Sequence, residues 1–283
     1  DDDDETSEEE DDEDEDDEVE EVVFQRKQFE DESSVPVAEL CRNTRLVRLS
    51  INQCRLRAVP KRLAMLTTLV SLDLSQNDLR SVPEAVAALV NLRSLELSAN
   101  QLTRFPAAVL LLPSLENLSL SGNRISRLVA DDAQPQAPAL NTLQQLNLSS
   151  NQLRAFPAAF LVRLRALRVL SLNHNAFEPQ SVPTDTLGEP GALAKLERLI
   201  MVKCALTVVP GFMYELPALT TLVLDENNIS HFGDPLARLP QMARLATLSL
   251  SSNLFRALPD QLCALTSLTT LVLTHHRIAR LQE

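Results

Sequence analysis

From Leu46 onward, apolar and polar positions follow one arrangement, LxxLxLxxNxLxxLPxxLxxLxx. It starts again at Leu69, Leu92, Leu115, Leu143, Leu167, Leu196, Leu219, Leu245 and Leu268, most often after 23 residues. A fixed period of this length marks a solenoid, because one unit cannot bury its own apolar face and must stack on neighbours. In the second unit Leu72 and Leu74 alternate with Ser71, Asp73 and Ser75. That period of two predicts a short strand with one buried face. Leu69, Leu79, Val82, Val86 and Leu89 supply the rest of that coil's interior. Pro60, Pro83, Pro106, Pro157, Pro210 and Pro259 fall past the strand, where no ladder N–H is needed. The PxxLxxL stretch then predicts a helical or 3₁₀ return across the convex side.

Asn recurs after the strand in seven of the ten units, at Asn77, Asn100, Asn123, Asn151, Asn175, Asn227 and Asn253. A coil that bends inwards strands backbone groups without ladder partners, and buried groups of that kind must be paired. A side-chain amide both donates and accepts, so a stacked row of Asn serves successive turns. Cys54, Cys204 and His276 take this position in three units, and each still donates.

These units resemble leucine-rich repeats. The LPxxLxxL ending at a 23-residue period is most similar to the intracellular Ras-associated subgroup, Shoc-2-like scaffolds among them. The resemblance covers residues 46–283 and implies an α/β solenoid, a curved horseshoe with a concave parallel β-sheet and short helical or 3₁₀ convex turns. It also implies binding of a protein partner on the concave face.

Residues 1–21 hold 18 acidic side chains and no basic one. The whole chain has 39 acidic and 26 basic residues, so residues 22–283 keep 21 and 26, a net charge of +5 beside a tail of −18. So dense a run of like charge buries no apolar surface and is expected to be disordered. Residues 22–45 are expected to cap the first coil with Val35, Val37, Leu40 and Cys41. The array from 46 to 283 then holds about ten units, the last incomplete. Leu273, Ile278 and Leu281 at its end predict either a continuing natural chain or a partner over that edge. Four scattered cysteines, Cys41, Cys54, Cys204 and Cys263, lack paired spacing and the Cys-rich caps implied for secreted relatives. Glycans at the Asn117 and Asn147 sequons would obstruct the concave face. Reduced thiols in an intracellular compartment, the cytoplasm or also the nucleus, fit this best.

Outward strand positions differ along the array. The first five repeats offer small polar groups such as Ser50, Ser71, Ser94 and Ser119, together with Asp73 and Glu96. The later repeats offer Val169, Ile200, Val202, Val223 and Val272, bordered by Arg198, Lys203, Asp225 and Glu226. An apolar patch with a polar rim is the composition of a protein interface, although β-branched residues also favour strands as such. Extra segments in the fourth, sixth and eighth repeats (VADDAQPQAPALNT, EPQSVPTDTLGEPGA and GDPLARLPQMAR) are either functional loops or tolerated insertions. A basic cluster of Arg42, Arg45, Arg48, Arg55, Arg57, Lys61 and Arg62 lies in a stretch, 40–72, without an acidic residue. The acidic tail is long enough to shield it, an attraction that salt would weaken.

Catalytic chemistry has no foothold in this pattern. His174, His231, His275 and His276 have no carboxylate or Cys partners at zinc spacing. Five glycines form no phosphate loop, and the serines fill small polar repeat slots. No Trp and one Tyr leave no stacking platform for nucleic acid. No enzyme, cofactor, metal, small-molecule substrate or membrane span is therefore expected, and nucleic acid is not the expected partner. Val22-Val23-Phe24 resembles the V-x-F core of phosphatase-docking strands, but Glu20 and Glu21 stand where basic residues are usual. The expected function is a non-catalytic scaffold in intracellular signalling. The rivals are the recognition domain of a larger enzyme (kinase, GTPase or ubiquitin ligase) and an acidic-tailed chaperone for basic proteins.

Overall fold

The computed structural model describes residues 20–29, 31–128, 141–183, 186–189, 191–233, 242–258, 262–263 and 265–275. Most of the acidic tail, Pro259, His276, Ile278, Leu281 and much of the fourth and eighth repeats' extra segments lie outside the described residues.

Each repeat contributes one short strand, and one more precedes them. They are β1 Glu20–Gln25, ahead of the array, then β2 Leu46–Asn52, β3 Ser71–Asp73, β4 Ser94–Glu96, β5 Asn117–Ser119, β6 Gln145–Asn147, β7 Val169–Ser171, β8 Arg198–Ile200, β9 Thr221–Val223, β10 Thr247–Ser249 and β11 Thr270–Val272. These eleven strands form a single sheet in chain order, and each pairs in parallel with the next. The central leucines set the register. Leu72 faces Leu95, Leu118 and Leu146 in succession, and all four are buried. That common interior row is the one the repeat pattern requires. Burying one such leucine contributes roughly 1.5–3 kcal/mol, but only because a neighbouring coil covers it.

On the opposite side the chain returns through 3₁₀ turns at Lys61–Met65, Glu84–Ala88, Ala107–Leu111 and Gly211–Glu215, entered from Pro60, Pro83, Pro106 and Pro210. The fifth repeat uses one α-helical turn after Pro157, Ala158–Leu161. Proline suits the entry position, since it presets φ and has no N–H to leave unpaired. At the N-terminal end, Val37–Leu40 forms a further helical turn whose Val37 and Leu40 are buried, with Val35 in the same core and Cys41 packed against it.

One strand lies outside the repeat pattern. β1 begins at Glu20, so Glu20 and Glu21 from the acidic run enter the sheet, and Val22, Val23 and Phe24 pair with Leu49, Ser50 and Ile51. The V-x-F segment thus already adds a strand, but to its own chain. Lys27 closes this end, its Nζ 5.3 and 5.4 Å from the Phe24 and Phe29 ring centroids, a cation–π arrangement.

The Asn row explains why the coils turn where they do. Asn77 Nδ2 donates to the carbonyls of Ile51, Leu74 and Ser75 at 2.7, 3.0 and 3.1 Å. Its Oδ1 accepts the Cys54 and Leu56 N–H groups at 3.0 and 3.1 Å. Asn100 repeats the scheme one coil further on. The residue before each Asn is left-handed: Gln76, Ala99, Ser150 and Glu226 have φ of 55, 52, 55 and 54°. That conformation costs about 1–2 kcal/mol for an L-residue, which the bonds of one Asn offset.

The cysteine coils solve the turn differently. Cys54 Sγ donates to Phe24 O and Asn52 O at 3.3 and 3.1 Å, and Cys204 Sγ to Leu172 O at 3.2 Å, so the donor half survives. The side-chain acceptor is lost. In these coils the residue after the cysteine, Arg55 or Ala205, is also left-handed, with φ of 57 and 58°. In the second case this turns the Cys204 carbonyl toward the preceding coil, where it accepts the Phe177 N–H at 3.3 Å. A main-chain oxygen stands in for the missing amide oxygen.

Candidate functional site

Because strand register is unbroken from β3 to β11, outward side chains fall into rows across the concave face. One row runs Asp73, Glu96, Ser119, Asn147, Ser171, Ile200, Val223, Ser249, Val272. Beside it run Ser94, Asn117, Gln145, Val169, Arg198, Thr221. The structure therefore places Ile200 and Val223 in direct cross-strand contact positions, with Val169 one row over and Val272 separated from Val223 by Ser249. Val169, Ile200, Val202, Val223 and Val272 are all half-buried by the curve of the sheet.

The expected rim residues have distinct duties. Lys203 and Glu226 occupy the left-handed positions before Cys204 and Asn227 and pair with each other at 2.8 Å, each side chain 47% exposed. An exposed pair of this kind contributes about 0–1 kcal/mol. Asp225 Oδ1 is committed: it accepts Ser249 Oγ at 2.6 Å and the Ser251 N–H at 2.7 Å. Arg198 is exposed at the edge of β8. Sequence reasoning did not anticipate the bracing. The N–H two residues beyond Asp73, Glu96 and Asn147 donates to those side chains; Ile200 offers no acceptor to Val202, whose N–H donates instead to Asn173 Oδ1 of the neighbouring coil at 2.8 Å.

A matching bracket sits at the other end. Asp73 accepts from Ser50 Oγ, Asn52 Nδ2 and the Ser75 N–H at 2.9, 3.2 and 2.9 Å. Burial disfavours its charged form, but these donors outweigh burial and hold the carboxyl below its usual range. Between the two ends the concave face deepens into a hollow over β4–β7, lined by Glu96, Asn117, Ser119, Gln145, Asn147 and Val169 among others. Val169 alone links this hollow to the expected apolar patch.

The basic cluster does not share one face. Arg48 lies on β2, Arg55 and Arg57 on the turn after it, Lys61 and Arg62 on the convex 3₁₀ turn, and Arg42 and Arg45 on the approach to β2. All seven are exposed, but they girdle the first coil because 23 residues complete one circuit. Glu21 on β1 stands beside Arg48 in the register. Of the extra segments, the sixth repeat's is the best described: Pro179–Ser181 forms a 3₁₀ turn, and Ser181 Oγ accepts the Phe156 N–H at 3.0 Å.

Cys41, Cys54, Cys204 and Cys263 are free thiols. Burial pushes Cys54 upward and Cys204 to about 12, so both are held as neutral donors. Among the described residues no cluster of three or more His, Cys, Asp or Glu could hold a metal, and no helix is long and apolar enough to cross a membrane.

Comparison with known proteins bears on the array itself. Residues 44–102, 67–125 and 113–177 match the family described as leucine rich repeat. Podocan-like protein 1 of Homo sapiens is 30% identical over 141 residues, 42% of this chain and 27% of that protein. The chain spans about a quarter of the length of the curated relatives it matches. A leucine-rich repeat protein of Leptospira interrogans superposes with a TM-score of 0.78 at 25% identity, covering 94% of this chain and 63% of that one. The TLR13–ssRNA13 complex gives 0.72 at 26% identity, covering 89% and 35%. The period, the Asn row, the unbroken parallel sheet and these likenesses agree that the chain is built as a leucine-rich repeat solenoid.

Proposed function

We propose that this chain is a non-catalytic interaction scaffold that holds a protein partner on its concave sheet around β7–β9 and β11. One observation carries the reading: Ile200 and Val223 stand adjacent in a single outward row, with Val272 further along it, while Ser, Thr, Asn and carboxylates fill most of the remaining outward positions. Solvent-facing aliphatic groups gathered in a curved surface gain by being covered. A protein suits them better than a nucleic acid, since the same row bears Asp73 and Glu96 and no cation. The free thiols support an intracellular setting, and the 23-residue period supports kinship with Ras-associated signalling scaffolds.

The test is proximity labelling in the native cell with the wild-type chain and with Ile200→Asp combined with Val223→Asp. Both positions are outward, so the solenoid is expected to keep its circular dichroism and melting profile. Recovery of the main labelled proteins should fall at least tenfold. Unchanged recovery by a folded variant removes the assignment.

A further inference from the structure

The concave row changes character in order along the array, and that order specifies what it fits. Asp73 and Glu96 are adjacent at β3 and β4. Asp73 has its oxygens occupied by Ser50, Asn52 and Ser75, whereas Glu96 spends only Oε1, on the Ser98 N–H at 2.9 Å. Among the described residues its other carboxylate oxygen takes part in no hydrogen bond, and a second negative charge, Asp73, stands beside it in the register. Four strands further on the row becomes aliphatic at Ile200 and Val223.

The stretch between is neither charged nor apolar. Asn117 and Gln145 are register neighbours, and among the described residues neither side chain is engaged in a hydrogen bond. Asn147 uses Oδ1 on the Ser149 N–H at 3.0 Å and keeps its amide donors. These groups line the hollow over β4–β7. Open amides that both donate and accept match an unpaired polypeptide main chain. A helix would not use them, because its backbone groups are already paired internally.

Resting on the scaffold reading above, we infer that the concave face takes an extended peptide segment that crosses the strands. A basic side chain sits at Glu96, the main chain lies on Asn117, Gln145 and Asn147, and an aliphatic side chain meets Ile200 and Val223. From β4 to β8 there are four strand intervals of about 4.8 Å, roughly 19 Å, and an extended chain advances about 3.3 Å per residue. The basic and aliphatic residues of the partner are therefore about six positions apart. Charge steers the encounter, so affinity falls as salt rises.

The experiment pans a phage-displayed library of random twelve-residue peptides on the full chain, then measures an enriched peptide against wild type, Glu96→Lys, Glu96→Gln and Ile200→Thr. The expected peptides carry Arg or Lys five to seven positions from Ile, Leu or Val. Glu96→Lys should weaken them at least tenfold, Glu96→Gln about threefold and Ile200→Thr about fivefold. Reselection on Glu96→Lys should return an acidic residue at the basic place. Peptides lost on Ile200→Thr but indifferent to Glu96→Lys overturn the inference and leave the scaffold reading intact. Peptides indifferent to every variant bind elsewhere, the acidic tail included, and overturn it too. Absence of enrichment does the same, while proximity labelling judges the scaffold reading separately.

Discussion

Coils closed by asparagine and coils closed by cysteine reach one shape by unequal means. In the coil of Asn100, one side chain donates to three carbonyls and accepts the Leu79 N–H. In that of Cys204, the thiol donates to Leu172 O, and the backbone itself rotates, at Ala205, to offer the absent acceptor. Holding the coil shut thus depends on the donor, whereas the acceptor can come from either side chain or main chain. The Asn coils concentrate four or five bonds in one side chain; the Cys coils spread them over several residues.

That contrast ranks the consequences of mutation. Asn100→Ala leaves buried carbonyls and an N–H unpaired together, and should lower unfolding stability by about 3 kcal/mol or more. Urea denaturation reads this directly, and a loss under 1 kcal/mol would mean that water replaces the amide. Cys204→Ala removes one weak donor from a turn whose acceptor is already main chain, so its cost should be about 1–2 kcal/mol, clearly less than that of Asn100→Ala. Equal losses would mean that the two kinds of coil depend on their closing side chain to the same extent.

Asp73 offers a sharper probe of the other cysteine coil, since it braces Ser50 and Asn52 beside Cys54. Its folded carboxyl titrates below the unfolded value of 3.8. The stabilisation is then present above the unfolded value and is lost as pH falls through the folded one. Asp73→Asn should flatten the acid limb of the stability curve below about pH 4 and leave its shape near neutrality unchanged. Melting temperatures between pH 2.5 and 7 decide it. The smallest energetic effect is expected from thiol labelling at pH 8. Exposed Cys263 and half-buried Cys41 should react in the native state, and Cys54 and Cys204 only as fast as the coil opens. Native labelling of Cys204 would contradict its hydrogen-bonded burial.

The sheet, its leucine rungs and the Asn row were legible because each obeys a fixed spacing that one buried interior enforces. β1 was not, since Glu20–Gln25 carries no leucine pattern; the alternation of Val22 and Phe24 with Glu21, Val23 and Gln25 was the available signal. The left-handed Arg55 and Ala205 were hidden as well, because neither residue type favours that region. Val169, Ile200, Val202, Val223 and Val272 could be gathered from spacing alone. Asp225 looked like rim and proved to be partly bracing, which depends on what Ser249 and Ser251 lack locally. The seven basic residues looked clustered because nearness in sequence within a 23-residue circuit spreads side chains around the coil.

Absence of stagger from β3 to β11 has an outcome for how such a surface can be altered. Adjacent strands meet residue for residue, and the sixth repeat's extra residues do not shift the pairing of β7 with β8. The face therefore behaves as a ruler graduated in whole strands. Excising the coil that carries β5 would bring the acidic mark and the aliphatic mark one graduation closer without tilting either. Ligand length could be retuned in discrete steps by adding or removing units, with no redesign of the contacts at the ends.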